Sequence, residues 1–210
     1  MAVHPFAGPF PLGPRLSLVR PEALGGACSA VERLDAGETC GAAPDEKGRA
    51  VLVLSGRFGG PVELGEGDVL LAPPGTPPLV NRGESPGSLL VDVSPVEPDS
   101  PASPSFLGRD ALTGERVPGV TGARFLSRSR SRTVLRLGPP PGARWVVLGL
   151  RSFAVFAGKV EVVEGDAGVA VRAGELAVVS DPTATLYLQA GGDAAWGVGF
   201  GSPRLGVWLG

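Results

Sequence analysis

Gly67-Asp-Val-Leu-Leu-Ala-Pro-Pro-Gly-Thr-Pro-Pro78 is a short apolar run, opened by glycine and closed by a proline-glycine turn. Such a run, too short for a helix and bounded by hard stops, reads as a buried strand. A blurred copy follows as Gly174-Glu-Leu-Ala-Val-Val-Ser-Asp-Pro-Thr-Ala-Thr185. Two copies of one strand-and-turn unit predict a duplicated all-β chain.

Working outward, Arg49-Ala-Val-Leu-Val-Leu-Ser-Gly56 is a β-branched strand ending at a glycine turn, and Ser88-Leu-Leu-Val-Asp-Val93 is another. Cys28 to Leu34 reads as a strand followed by the turn Asp35-Ala-Gly-Glu38. Each of these elements has a counterpart. Ser131 to Leu137 matches Cys28 to Leu34, and Gly138-Pro-Pro-Pro-Gly142 stands in place of the Asp-Ala-Gly turn. Arg151-Ser-Phe-Ala-Val-Phe-Ala-Gly158 follows its partner by 102 residues, whereas Gly174 follows Gly67 by 107, so the second copy carries an insertion of five residues around Glu161 to Val171. Ala194 to Phe200 is the last strand of the copy, and the tail Pro203 to Trp208 is apolar enough to dock on the body.

The remaining segments set the expected boundaries. Residues 1–24 form a Pro/Gly-rich arm lying over a barrel or another subunit, 25–95 the first domain, 96–122 a linker, and 123–210 the second domain with its tail. A single helical turn is an option within the linker. Ser127-Arg-Ser-Arg-Ser-Arg132 alternates, so an extended chain would set Arg128, Arg130 and Arg132 on one face, as an anion stripe or a charged edge strand.

Composition excludes several function classes. The chain has 33 glycines and 22 prolines in 210 residues, yet 43% hydrophobic residues grouped into short runs, which fits many strands and turns rather than disorder. A net charge of −2 without charge blocks gives no attraction for nucleic acid or an acidic membrane. The sequence offers no secretory signal and no apolar stretch of membrane-spanning length, so a cytoplasmic protein is expected. Cys28 and Cys40 make no disulfide framework or zinc spacing; they read as two small semi-buried residues, or as one bridge if their strands are neighbours. His4, the only histidine, lies in the arm, which leaves no Ser-His or Cys-His pair to build.

Leu34-Asp-Ala-Gly37, Val51-Leu-Val-Leu-Ser-Gly56, Gly65-Glu-Gly-Asp-Val-Leu-Leu-Ala-Pro-Pro-Gly-Thr-Pro77 and Ser88-Leu-Leu-Val-Asp-Val-Ser-Pro95 resemble the two motifs of a cupin barrel, and the repeat makes the whole chain resemble a bicupin over about residues 25–95 and 125–202. The resemblance implies two tandem jelly-roll barrels. It also implies a divalent metal held by two His and a Glu from the first motif and a His from the second. Here the Glu position falls on Arg49 and Arg151. The paired His positions fall near Ala43 and Asp45, or one residue earlier, and in the second copy near Arg144 to Val147. The last His falls on Pro78 and Thr185. A transition-metal site needs three or four convergent His, Cys or carboxylate ligands, so neither metal nor cofactor is expected.

An arginine at an inward-facing barrel position needs a carboxylate, a carbonyl or a bound anion. Either it pairs internally, for instance with Asp45, Asp68 or Asp181, or it binds a small anionic ligand. Candidate ligand-binding residues are therefore Arg49, Asp45, Arg151, Arg144, Asp181 and Thr185, with Trp145 and Tyr187 as aromatic lining. The expected function is a metal-free bicupin serving small-molecule binding, regulation or assembly. The alternative is a metal-independent isomerase, cyclase or lyase that stabilises charge with Arg49 or Arg151 and moves protons with Asp45, Glu46, Asp181 or Tyr187. The partners expected are a small anionic molecule and a second copy through the arm.

Overall fold

The computed structural model describes residues 1–8, 15–17, 28–40, 47–95, 103–109, 114–129, 132–179, 181 and 183–210. Asp45 and Glu46, most of the arm and residues 96–102 of the expected linker lie outside them. The described residues form strands and turns with no helix, and hence no helix long and apolar enough to cross a membrane.

In chain order the strands are β1 (Ala2–Pro5), β2 (Arg15–Ser17), β3 (Cys28–Leu34), β4 (Lys47–Ser55), β5 (Phe58–Gly59), β6 (Val69–Ala72), β7 (Val80–Asn81), β8 (Gly87–Pro95) and β9 (Ser105–Leu107). They continue with β10 (Glu115–Arg116), β11 (Ala123–Arg128), β12 (Thr133–Leu137), β13 (Arg144–Ala157), β14 (Lys159–Glu164), β15 (Ala167–Arg172), β16 (Glu175–Val178), β17 (Thr185–Ala190) and β18 (Trp196–Leu209). The chain divides into two compact units, an N-terminal one of Phe6–Ala111 and a C-terminal one of Met1–Pro5 with Leu112–Gly210.

The N-terminal unit has a sheet of order β2-β3-β8-β4-β6-β9 and a small sheet β5-β7. Val51, Val53, Phe58, Leu70, Leu79 and Leu89 meet in its core. Strands β4 and β6 are buried along almost their whole length, as their continuous apolar sequence requires. In the C-terminal unit the order β11-β12-β18-β13-β16-β1 repeats that arrangement strand for strand. Strand β17 pairs with the first half of β13, β14 with β17 and β15 with β14, and these make the facing wall. Strand β13 serves both walls because it kinks at Gly149, which has φ 81°, where the register to β18 shifts.

The duplication recurs in single hydrogen bonds. Gly67 N–H donates to Val53 O at 2.9 Å, and Gly174 N–H donates to Val155 O at 2.9 Å. Both glycines hold a left-handed backbone, at φ 84° and 83°, which only a residue without Cβ adopts cheaply. The inserted residues lengthen one hairpin. Strands β14 and β15 pair over six residues each, whereas β5 spans two.

Two segments depart from the sequence expectation. The segment expected as a linker contains β9, which pairs with β6, and β10, and no helical turn occurs among its described residues. The arm begins as a strand, Ala2–Pro5, hydrogen-bonded antiparallel to β16 with Ala2 opposite Val178. It thus occupies the place that β9 holds in the N-terminal unit. The C-terminal tail docks as expected, as the second half of β18, with Leu205 and Val207 buried.

Candidate functional site

Strand parity fixes where Arg49 points. It lies on the face of β4 that also carries Val51 and Val53, both members of the N-terminal core, and it is only 1% exposed. Its guanidinium reaches the turn that follows β6. Nη2 donates to the carbonyls of Thr76 at 3.1 Å and Pro77 at 2.8 Å. The turn is also held by its own residues, with Thr76 Oγ1 donating to Pro73 O at 2.7 Å and Gly75 at φ 75°. Arg49 therefore ties the middle strand of the barrel to the Pro-Pro-Gly-Thr-Pro-Pro turn.

Arg151 is 3% exposed, and its Nη2 donates to Gly201 O at 2.9 Å, a backbone oxygen of neighbouring β18. Of the acids proposed as partners, Asp68 accepts from the backbone N–H of Gly65 at 2.8 Å and of Arg109 at 2.7 Å. Asp181 is exposed and accepts from the Thr183 backbone at 2.8 Å and hydroxyl at 2.6 Å. The Thr183 hydroxyl, and then its N–H, hold the Asp181 carboxyl below its ordinary value.

The other candidates do not converge on a pocket. Trp145 is fully buried in the C-terminal core among Phe153, Leu186 and Leu188, where it fills the barrel rather than lining a cavity. Its neighbours in sequence and across the ladder turn outward. Arg144 lies on the outside with its guanidinium carbon 4.5 Å from the Tyr187 ring centroid, and Thr185 is exposed. On that outer face Val163, Tyr187, Val146 and Trp208 form one cross-strand row, and Trp208 is 51% exposed. The indole of Trp208 lies over Gly206, where an added Cβ would come within 2.4 Å of the ring.

Of the arginine stripe expected over Ser127 to Arg132, Arg130 lies outside the described residues. Strand β11 ends at Arg128, and Ser129 N–H donates to Arg132 O at 2.8 Å, closing a hairpin turn into β12. Arg128 instead covers the Phe125 ring at 4.3 Å. The Cys28–Cys40 bridge is absent. Cys40 is buried and not in a disulfide, and its thiol donates to Glu32 Oε2 at 3.3 Å. This inward-facing Cys-Glu pair carried no recognisable sequence signal, because its two residues meet only across the barrel.

These residues do not fit a bound divalent metal. Where the cupin resemblance would put a metal ligand on β4 stands Arg49, whose permanently charged guanidinium offers donors only, so it supplies no lone pair and repels a second cation. Among the described residues no three His, Cys, Asp or Glu side chains come together.

No family model matches the chain, and no curated protein matches it in sequence. Solved structures do match it. A glyoxylate-induced protein from Pseudomonas aeruginosa superposes with a TM-score of 0.65 at 12% identity, covering 93% of this chain and 80% of its own. Salicylate 1,2-dioxygenase from Pseudoaminobacter salicylatoxidans gives 0.61 at 14%, covering 93% and 76%. Protein YlbA from E. coli gives 0.62 at 13%, covering 90% and 83%. These neighbours are cupin-type proteins, and with an all-β chain of antiparallel sheets the conclusion is that this protein has the cupin fold.

Proposed function

We propose that the chain is a metal-free bicupin that acts by binding or assembly rather than by catalysis in its barrels. One observation carries this reading: at the same position of both copies a buried arginine replaces a ligand-bearing residue, and each guanidinium is fastened to backbone carbonyls. Such an arginine performs the mechanical part of a metal's role without the Lewis acidity, Arg49 joining strand to turn and Arg151 joining β13 to β18. Function resides in sites rather than folds, so a likeness to a dioxygenase brings no oxygenase activity with it.

The enzymatic alternative requires a guanidinium facing a substrate with a proton-transfer group beside it. Asp181 is exposed on the surface and Tyr187 faces out of the barrel against Arg144, so neither offers a proton-transfer group inside the C-terminal barrel, and Asp45 and Glu46 lie outside the described residues. The exposed Trp208 row favours the assembly side of the proposal.

Elemental analysis of protein purified without added metal tests the reading. The expected result is metal well below stoichiometry after dialysis against a chelator. One equivalent of tightly held Fe, Mn, Ni or Zn overturns it.

A further inference from the structure

Arg116, Arg124 and Arg136 stand directly opposite one another on three adjacent strands, β10, β11 and β12. Directly opposed residues of antiparallel strands project from the same face, and like charges so placed destabilise the pair. At a strand spacing of about 4.8 Å the row spans about 10 Å. Neither Arg116 nor Arg124 meets a carboxylate among the described residues; Arg124 Nη1 donates only to Gly114 O, at 3.3 Å. Arg136 continues the row onto an aromatic platform, 5.1 Å from the Trp196 ring centroid, with Trp196 stacked on Phe156 at 4.8 Å.

Beside the row is a cleft of about 550 Å³, lined by Arg116, Arg124, Thr121, Gly119 and Gly122. The volume is within the range of small-molecule sites. The loop from β10 to β11 reaches this shape through left-handed glycines, at φ 72° for Gly119 and 87° for Gly122. Protection of a sheet edge by charge would explain Arg116, since β10 is an edge strand. It does not explain the cation opposed to it on β11, an interior strand. A bound polyanion explains both, because guanidinium forks match phosphate oxygens and remove the repulsion between them.

We propose that this cleft binds a small molecule bearing a diphosphate. Arg116 and Arg124, one strand spacing apart, each take one of two linked phosphoryl groups, and the Thr121 hydroxyl is a further donor. The site is separate from the barrel positions, so a metal found in a barrel would leave it standing.

Calorimetric titration of the full chain with pyrophosphate in low-salt buffer tests the proposal, with orthophosphate and citrate as comparison anions. The expected result is saturable binding of pyrophosphate, tighter than either comparison anion and weakened by added salt. Arg116→Gln and Arg124→Gln each weaken it by about tenfold or more, whereas Arg204→Gln, an exposed change in the same unit, does not. Without ligand, Arg124→Gln melts no lower than the parent, since it relieves the opposed charges, while pyrophosphate raises the melting temperature of the parent alone. Pyrophosphate heats no larger than those of sodium chloride at equal ionic strength would overturn the proposal. So would equal binding by citrate, or unchanged binding in both arginine variants.

Discussion

Replacing Arg49 by Met keeps the apolar stem and removes the guanidinium. Two hydrogen bonds from a charged donor disappear, to Thr76 O and Pro77 O. Bonds of this kind contribute about 1.5–3 kcal/mol each. Two effects offset the loss. The cost of burying a charge is recovered, and water can reach part of the turn, since Thr76 is half-buried and Pro77 exposed. The balance is a loss of about 2–4 kcal/mol, larger than an ordinary surface change and smaller than both bonds lost in full. Urea unfolding followed by far-UV circular dichroism reads the total. Hydrogen exchange then localises it, because Trp145, Trp196 and Trp208 all lie in the C-terminal unit and fluorescence would miss the change. The amide of Thr76, which donates to Pro73 O, should lose protection, and that of Cys40 with it, since Cys40 N–H donates to Leu79 O at 2.8 Å. Arg49→Lys, which keeps the charge without the fork, should fall between. An Arg49→Met protein with unchanged urea midpoint and unchanged exchange at these amides would refute the idea that the guanidinium holds the turn.

Two other perturbations follow from the C-terminal unit. Trp145→Ala should cost about 3–5 kcal/mol in chemical denaturation, as for a large aromatic removed from a closed core. Trp145→Phe should cost no more than about 1 kcal/mol, because the lost volume is offset by removing a buried Nε1–H that has no acceptor among the described residues. Asp181 has its folded-state pKa lowered by Thr183, so the bonds it accepts stabilise the fold above the ordinary carboxylate range and are lost as pH falls through the depressed value. Thr183→Val should move the Asp181 titration, followed by NMR, upward toward 3.8, with little change in stability at neutral pH; an unmoved titration would show that the Thr183 hydroxyl does not set it.

Much of the fold was legible because its signals are local. Gly67 and Gly174 each precede an apolar run, and the chain must turn where only glycine turns cheaply, so the two copies could be aligned before any contact was known. The offsets of 102 and 107 residues were then met by the same backbone hydrogen bond in each copy. That Arg49 faces the core was implied only by the resemblance, and in the structure alternation with Val51 and Val53 puts it there. The candidate site was legible only in part, because a side chain's identity does not name its partner. Acids were expected beside the arginines, and Asp45 lies outside the described residues; what the structure adds for Arg49 is a pair of backbone carbonyls, since closing the barrel brings residues 76 and 77 against residue 49. Tyr187 and Arg144 were read as pocket lining beside Trp145, yet adjacent residues of a strand face opposite ways, and the register sent these two outward.

The sequence by itself determined the central strands, the glycine turns and the internal repeat. Tertiary structure alone decided the rest. The alternating arginines of residues 128–132 suggested a stripe along one strand, whereas β11 ends at Arg128 and Ser129 N–H bonds back to Arg132 O. The row that did form runs across strands, through Arg116, Arg124 and Arg136, which have no common spacing in sequence and meet only because β10, β11 and β12 pair in that register. In the same way Ala2–Pro5 finds β16 more than a hundred and seventy residues away. Local chemistry sets what each segment can be, but pairing between distant strands depends on backbone groups common to every residue, so it leaves no mark in the sequence of either strand.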